Sequence, residues 1–172
     1  MKRLSAPAIA LALLAAACGS STTPSQPAPT KPTFTAAILP ANENPPISNA
    51  ENVGSGSATI TFDLTKDSAG NITAATATFL VSLTGFPAST VIRIAHIHTG
   101  AVGVNGPILV DTTLAAGDVT LSNGQATFTK ANLSMSADTA NAIMNNPAGY
   151  YFNVHTAANP GGVARGQLVR TQ

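Results

Sequence analysis

Along most of this chain apolar and polar residues take turns, the spacing of a strand with one buried and one wet face. In Ala58-Thr59-Ile60-Thr61-Phe62-Asp63-Leu64, the side chains of Ala58, Ile60, Phe62 and Leu64 share one face. Asp67-Ser68-Ala69-Gly70-Asn71 supplies turn residues, and residues 72–83 then place Ala75, Ala77, Phe79, Val81 and Leu83 on a common face, so the pair predicts a hairpin. The same criteria predict strands at 34–39, 92–98, 108–112, 119–121, 125–129, 151–155 and 164–169, with a tight turn at Ser122-Asn123-Gly124. Only the stretch between Ser136 and Asn145 has helical character, with Ser136 or Asp138 as cap, Ala140, Ile143 and Met144 within it, and Asn146-Pro147 as its end. The predicted fold is all-β: an antiparallel, Greek-key-like β-sandwich with one short helix, formed by residues 33–172 as a single domain.

The ends of the chain change where this domain is expected to reside. Lys2 and Arg3 precede an apolar, Ala- and Leu-rich run that stops at Cys18, too short to span a bilayer and of the form of an export signal. Leu14-Ala15-Ala16-Ala17-Cys18-Gly19 resembles a bacterial lipoprotein signal, which implies removal of residues 1–17, lipid modification of Cys18 and attachment to a membrane of the cell envelope, the outer membrane in a Gram-negative cell. Residues 20–32 are rich in Pro, Ser and Thr and read, with Cys18, as a disordered tether. Cys18 is the only cysteine, so no intramolecular disulfide is available to the fold. Without Lys2 and Arg3, six basic residues face seven acidic ones, and such a near-neutral chain offers no field to attract nucleic acid.

Against so few charges the histidines stand out: His96, His98 and His155 are all the chain has. In Val91-Ile92-Arg93-Ile94-Ala95-His96-Ile97-His98 a strict period of two puts Ile92, Ile94, His96 and His98 on one face, with neighbours about 7 Å apart. His155 lies in a second strand-like run, Tyr150-Tyr151-Phe152-Asn153-Val154-His155-Thr156. Neutral imidazoles suit zinc or copper, and two such strands brought together can place three on one ion; buried, hydrogen-bonded structural histidines are the plainer alternative. Arg165 follows the glycine-rich turn after His155 and is positioned either to draw a small anion towards a metal or to pair with a carboxylate, for which Glu43 is the obvious partner. No Gly-x-Ser-x-Gly elbow, phosphate-binding loop or paired-carboxylate motif occurs.

Three stretches resemble the CHRD domain family: Leu39-Pro40-Ala41-Asn42-Glu43-Asn44-Pro45-Pro46, Ala95-His96-Ile97-His98-Thr99-Gly100 with Asn105-Gly106-Pro107-Ile108, and Tyr151 to Thr156 continuing through Gly161-Gly162-Val163-Ala164-Arg165-Gly166-Gln167-Leu168. That resemblance implies a β-domain common in secreted bacterial proteins more than it implies a chemistry. The order His-x-His, Val-His and a glycine-rich turn leading to arginine is similar to the copper half of copper–zinc superoxide dismutase. The likeness implies His96, His98 and His155 as copper ligands and Arg165 as the residue that guides superoxide, while a bridging histidine, a zinc loop and a disulfide are missing from the pattern. The expectation is therefore a lipid-anchored protein holding one copper ion, with superoxide or another small anion as its partner and a dismutase-like oxidoreductase activity; the alternative is a non-catalytic adhesion or interaction module. Zinc is the less favoured metal, and no Asp or Glu lies close in sequence to either histidine segment to serve a zinc hydrolase as base.

Overall fold

The computed structural model describes residues 30–172; the predicted export signal, Cys18 and most of the predicted tether lie outside them. The first strands form a meander, β1 (Thr33–Ile38), β2 (Ser55–Lys66) and β3 (Ile72–Thr84), with β2 and β3 joined at the expected hairpin turn. There follow β4 (Val91–Thr99), β5 (Ile108–Asp111), β6 (Val119–Thr120) and β7 (Ala126–Met135), then the helix α1 (Ala137–Asn145), then β8 (Tyr150–Thr156), β9 (Ala164–Gln167) and β10 (Val169–Arg170). All pairings are antiparallel. One sheet has the order β10-β1-β2-β3-β7, the other β5-β4-β8-β9 with β6 also on β4, so the sequence-predicted sandwich stands.

The alternating residues form the core between the sheets. Phe34, Phe62 and Phe79 of the first sheet and Ile97, Phe152 and Val154 of the second are wholly buried, and the Phe79 and Phe152 rings meet across the interface at 5.8 Å. The helix starts where expected: the Ser136 side chain accepts a hydrogen bond from the Thr139 amide, and Ala140 and Ile143 pack on the core. Among the described residues no helix is long and apolar enough to cross a membrane.

Three departures from the sequence expectation have local causes. The strand predicted to end at residue 129 continues to Met135, because Asn132 takes a positive φ of 58° and the register shifts between Ala77 and Phe79, carrying the ladder past the break in alternation. The strand predicted at 164–169 is two short ones, β9 in the second sheet and β10 paired to β1 in the first, with buried Leu168 where the chain changes sheets. In β4 a register irregularity between Ile92 and Ile94 sends Ile92 into the core, while Ile94, half exposed, keeps company with His96 and His98. Ile92 therefore does not share the histidine face.

Candidate metal centre

The bulge in β4 leaves the rest of the strand in strict alternation: Ala95 and Ile97 point into the sandwich and His96 and His98 point away from it. Strand β8 repeats the arrangement, with Phe152 and Val154 inward. Register then does the positioning, placing His96 opposite Asn153, His98 opposite Tyr151 and Ile94 opposite His155. The site thus lies on the outer face of the second sheet, yet it is covered: His96, His98 and His155 are 2, 8 and 5 % exposed. The segments between β1 and β2, between β4 and β5, and after β8 cover it. They are tied together by Asn44 Nδ2 donating to Gly103 O at 2.7 Å, Asn105 Nδ2 to Asn44 O at 2.8 Å and Asn49 Nδ2 to Asn159 Oδ1 at 3.0 Å.

One ligand atom from each of the three imidazoles lies within 4.8 Å of the others. Each ring is oriented through its second nitrogen. His98 Nδ1 donates to Gly106 O at 2.9 Å and His155 Nδ1 to Pro160 O at 3.0 Å, which leaves the Nε2 lone pair of each facing inward. His96 turns Nε2 towards Asp111 Oδ1, 3.7 Å away, and keeps Nδ1 for the interior. His96 Nδ1, His98 Nε2 and His155 Nε2 are all buried without a hydrogen-bond partner. Burying such an atom unpaired costs roughly 1–3 kcal/mol, so three together are costly unless a common ligand takes them. Three nitrogens bound at about 2.0–2.1 Å from one ion lie somewhat closer together than these, a contraction that small ring rotations supply. The donor set fits a metal that prefers neutral nitrogen.

Burial is the main influence on the three rings and disfavours their charged forms: His96 is pushed down to about 4, with His155 adding to the effect, and His98 and His155 are also lowered. At neutral pH the cluster is a set of uncharged donors, as metal binding requires. The linkage has a definite sign. Below about pH 6.5 the unfolded chain protonates histidines that the folded chain keeps neutral. Metal-free protein should therefore lose stability as pH falls from 6.5 towards 4, His96 alone contributing up to about 3 kcal/mol. Burial raises Glu43 to about 7, which works in the opposite direction, but one carboxyl faces three histidines. Urea midpoints across this pH range test the point, and a flat or rising profile on acidification would contradict it.

Behind the ligand set lies a supporting set. The His98 ring stacks on Tyr151, centroids 4.9 Å apart and planes within 4°, and the guanidinium of Arg165 also lies over Tyr151, at 4.7 Å. Arg165 is buried; its Nε donates to Asn42 O and its Nη1 to Asn105 Oδ1, both at 2.7 Å, and Glu43 Oε2 is 3.8 Å from Nε. The pairing with Glu43 expected from sequence is thus present. Gly106, whose carbonyl holds His98, has its α-carbon against the Thr99 carbonyl, where a β-carbon has no room. On the other flank Glu51 accepts from Thr156 Oγ1 at 2.6 Å and from Asn159 Nδ2, fixing the turn that presents Pro160 O to His155. Substituting Glu51→Ala should lower the affinity for any metal held there about 10–100-fold through a loosened His155, as supporting residues of metal ligands do. Competition with a chelator measures it, and an unchanged affinity would assign Glu51 to the fold alone.

Tyr151 and Asn153 were within reach of the sequence, since period two from His155 puts them on its face; Asp111 and Glu51 come from distant segments with no spacing signal. A cleft of about 250 Å³ lined by Arg93, Ile94, His155 and Pro160 approaches the cluster, whereas a larger one of about 650 Å³, at Ser55–Ser57 and Gln125–Thr127, is lined by no titratable side chain. A family model, the CHRD domain, matches residues 34–168. No curated protein and no solved structure matches the chain.

Proposed function

The chain belongs to the CHRD domain family, and we propose that this member is an exported, lipid-anchored copper protein with superoxide dismutase-like activity. The observation that carries the copper reading is the set of three inward lone pairs, His96 Nδ1, His98 Nε2 and His155 Nε2, each left unpaired while the ring's other nitrogen is turned to an acceptor. Three such nitrogens turned towards one another call for a shared partner, and an ion is one that can take all three. Copper stands highest in affinity for such nitrogen sites among divalent first-row metals. Bound there, it would supply one-electron chemistry by alternating between two oxidation states, with the fourth position open to a small anion.

The protein's part is to hold the three donors neutral, exclude water and favour a negative substrate. Arg165, buried beside Tyr151, adds a fixed positive charge behind His98, and Arg93 adds a solvent-exposed one at the cleft leading to His155. Cys18, carrying lipid, would keep the domain at the envelope surface on the tether that ends near residue 32.

The test is reconstitution of the purified mature protein with copper, followed by removal of loosely bound metal. We expect about one copper per chain, a raised melting temperature and superoxide consumption above that of free copper under a chelator. Retained copper without turnover would leave a copper-binding protein. No retained copper and an unchanged melting temperature would favour the adhesion or interaction module with structural histidines.

A further inference from the structure

Six buried side-chain atoms among the described residues have no hydrogen-bond partner, and all six belong to the histidine face and its cover. Three are the imidazole nitrogens. The others are Glu43 Oε1, Asn153 Oδ1 and Arg165 Nη2. Asn153 stands in one cross-strand row between His96 on β4 and Arg165 on β9. Glu43 reaches the same place from the segment after β1: a β-carbon built on Gly162 would lie 2.8 Å from Glu43 Oε1 and 2.5 Å from Asn153 Nδ2. The two side chains therefore close over one bare glycine, at a φ of +132° that itself disfavours any other residue. An acid and an amide meet there, and Arg165, whose Nε is 3.8 Å from the acid's other oxygen, brings the third unpaired group; a buried water typically makes three such hydrogen bonds.

Glu43 is the odd member of this group. It is buried beside Arg165, but the 3.8 Å from Arg165 Nε to Glu43 Oε2 is too long for a hydrogen bond, and Arg165 spends Nε and Nη1 on Asn42 and Asn105 instead. Burial pushes the carboxyl up to about 7 against the pull of Arg165. Among the described residues Arg165 is the one charged group acting on it; Asn153 from β8, Gly162 from the turn after it and Asn42 from its own segment are neutral. A cleft of about 530 Å³ lined by Glu43, Asn44, Gly103 and Arg165 connects this group to solvent.

We propose that Glu43 is the proton carrier of the three-histidine centre, linked to it through a water held with Asn153 and Arg165 and recharged from solvent through the cleft at Asn44 and Gly103. The inference rests on the copper reading above. It answers a need of that reading, because reduction of superoxide to hydrogen peroxide takes one electron and two protons. Copper held by His96, His98 and His155 would supply the electron by passing from copper(I) to copper(II). The Glu43 O–H bond would break as its proton passes to the bridging water while a proton of that water passes to the substrate oxygen, and the second proton would come from solvent as hydronium, leaving water. The carboxylate left behind faces Arg165 and regains its proton from solvent.

The full mature chain, loaded with copper, is compared with its Glu43→Gln variant, which keeps the side chain's shape. In the parent protein the copper reduction potential should fall with pH near neutrality, by up to about 59 mV per unit, the one-electron equivalent of a tenfold change. The variant should flatten this slope while keeping its copper content. Equal slopes in the two proteins, with copper retained in both, would overturn the proton-carrier role alone; failure to retain copper in the parent would overturn it together with the copper reading. Infrared difference spectra of the metal-free proteins between pH 6 and 8 give an independent check. A protonated carboxyl band that titrates in the parent and is missing from the variant is expected, and its absence from the parent would overturn the proposal.

Discussion

Replacing His155 with alanine should abolish stoichiometric copper uptake, and His96→Ala and His98→Ala should do the same. The site has three donor nitrogens and no reserve: Asp111 faces His96 through the nitrogen that points away from the cluster, and Glu43 is committed to the neighbourhood of Arg165. Two remaining imidazoles lose the third arm of the chelate, and affinity should fall by about 100-fold or more, beyond what loss of a supporting residue produces. Metal content after gel filtration and the copper(II) paramagnetic resonance spectrum measure the loss. The metal-free variants carry a second expectation of opposite character. Removing the buried His155 imidazole should cost the fold about 1–3 kcal/mol for the orphaned Pro160 carbonyl, and should reduce its loss of stability in acid, because a group that the unfolded chain protonates has gone. A variant that retained a full copper equivalent, or one that failed to fold at neutral pH, would return the histidines to a structural role.

Phe152→Ala should be the most destabilising single change in the second sheet, by about 3–5 kcal/mol. Phe152 is fully buried on the inward face of β8, and its ring meets Phe79 of the facing sheet at 5.8 Å. Truncation removes aromatic area from between two sheets that cannot collapse on the gap, because β4 and β9 flank β8 on both sides and hold its position. A fall in melting temperature of roughly 10–20 °C follows for a domain of this size. The side chains on either side, Tyr151 and Asn153, face the histidine cluster, so the variant that is still folded at low temperature should take up metal as the parent does. Calorimetry of the metal-free protein, with a parallel copper assay, separates the two effects. A loss below about 1 kcal/mol would mean that the sheets are held chiefly elsewhere.

The strands were legible because each has one dry and one wet or covered face, and alternation records that directly: residues 58–64 and 72–83 lie in β2 and β3 as expected. The three histidines were legible for the same reason, being out of keeping with the apolar strands that carry them. What alternation cannot express is a local change of phase. The irregularity that separates Ile92 from Ile94 and the positive φ at Asn132 each let a strand continue after its pattern has broken. Nor does periodicity describe a lid. The segments around Asn42, Gly106 and Pro160 are nonperiodic, and their fit depends on single polar contacts such as Asn42 Nδ2 to Arg165 O at 3.0 Å and Asn49 to Asn159. Arg165 and Glu43 could be paired from sequence because a nearly uncharged domain leaves few candidates; Glu51, Asn105 and Asp111 had no comparable distinction.

The back-to-back arrangement of β4, with Ala95 and Ile97 on one side and His96 and His98 on the other, makes parity a property of the centre. A strand can gain or lose residues in pairs and still present the same side to the same layer, but a single insertion ahead of Ala95 would exchange the two sides. It would press imidazoles among phenylalanines and set Ile97 under the polar cover. Length can thus vary where β4 meets its loops, but within the strand only even steps preserve both the interior and the histidine cluster. The odd residue that the strand already absorbs, between Ile92 and Ile94, sets that count for everything after it.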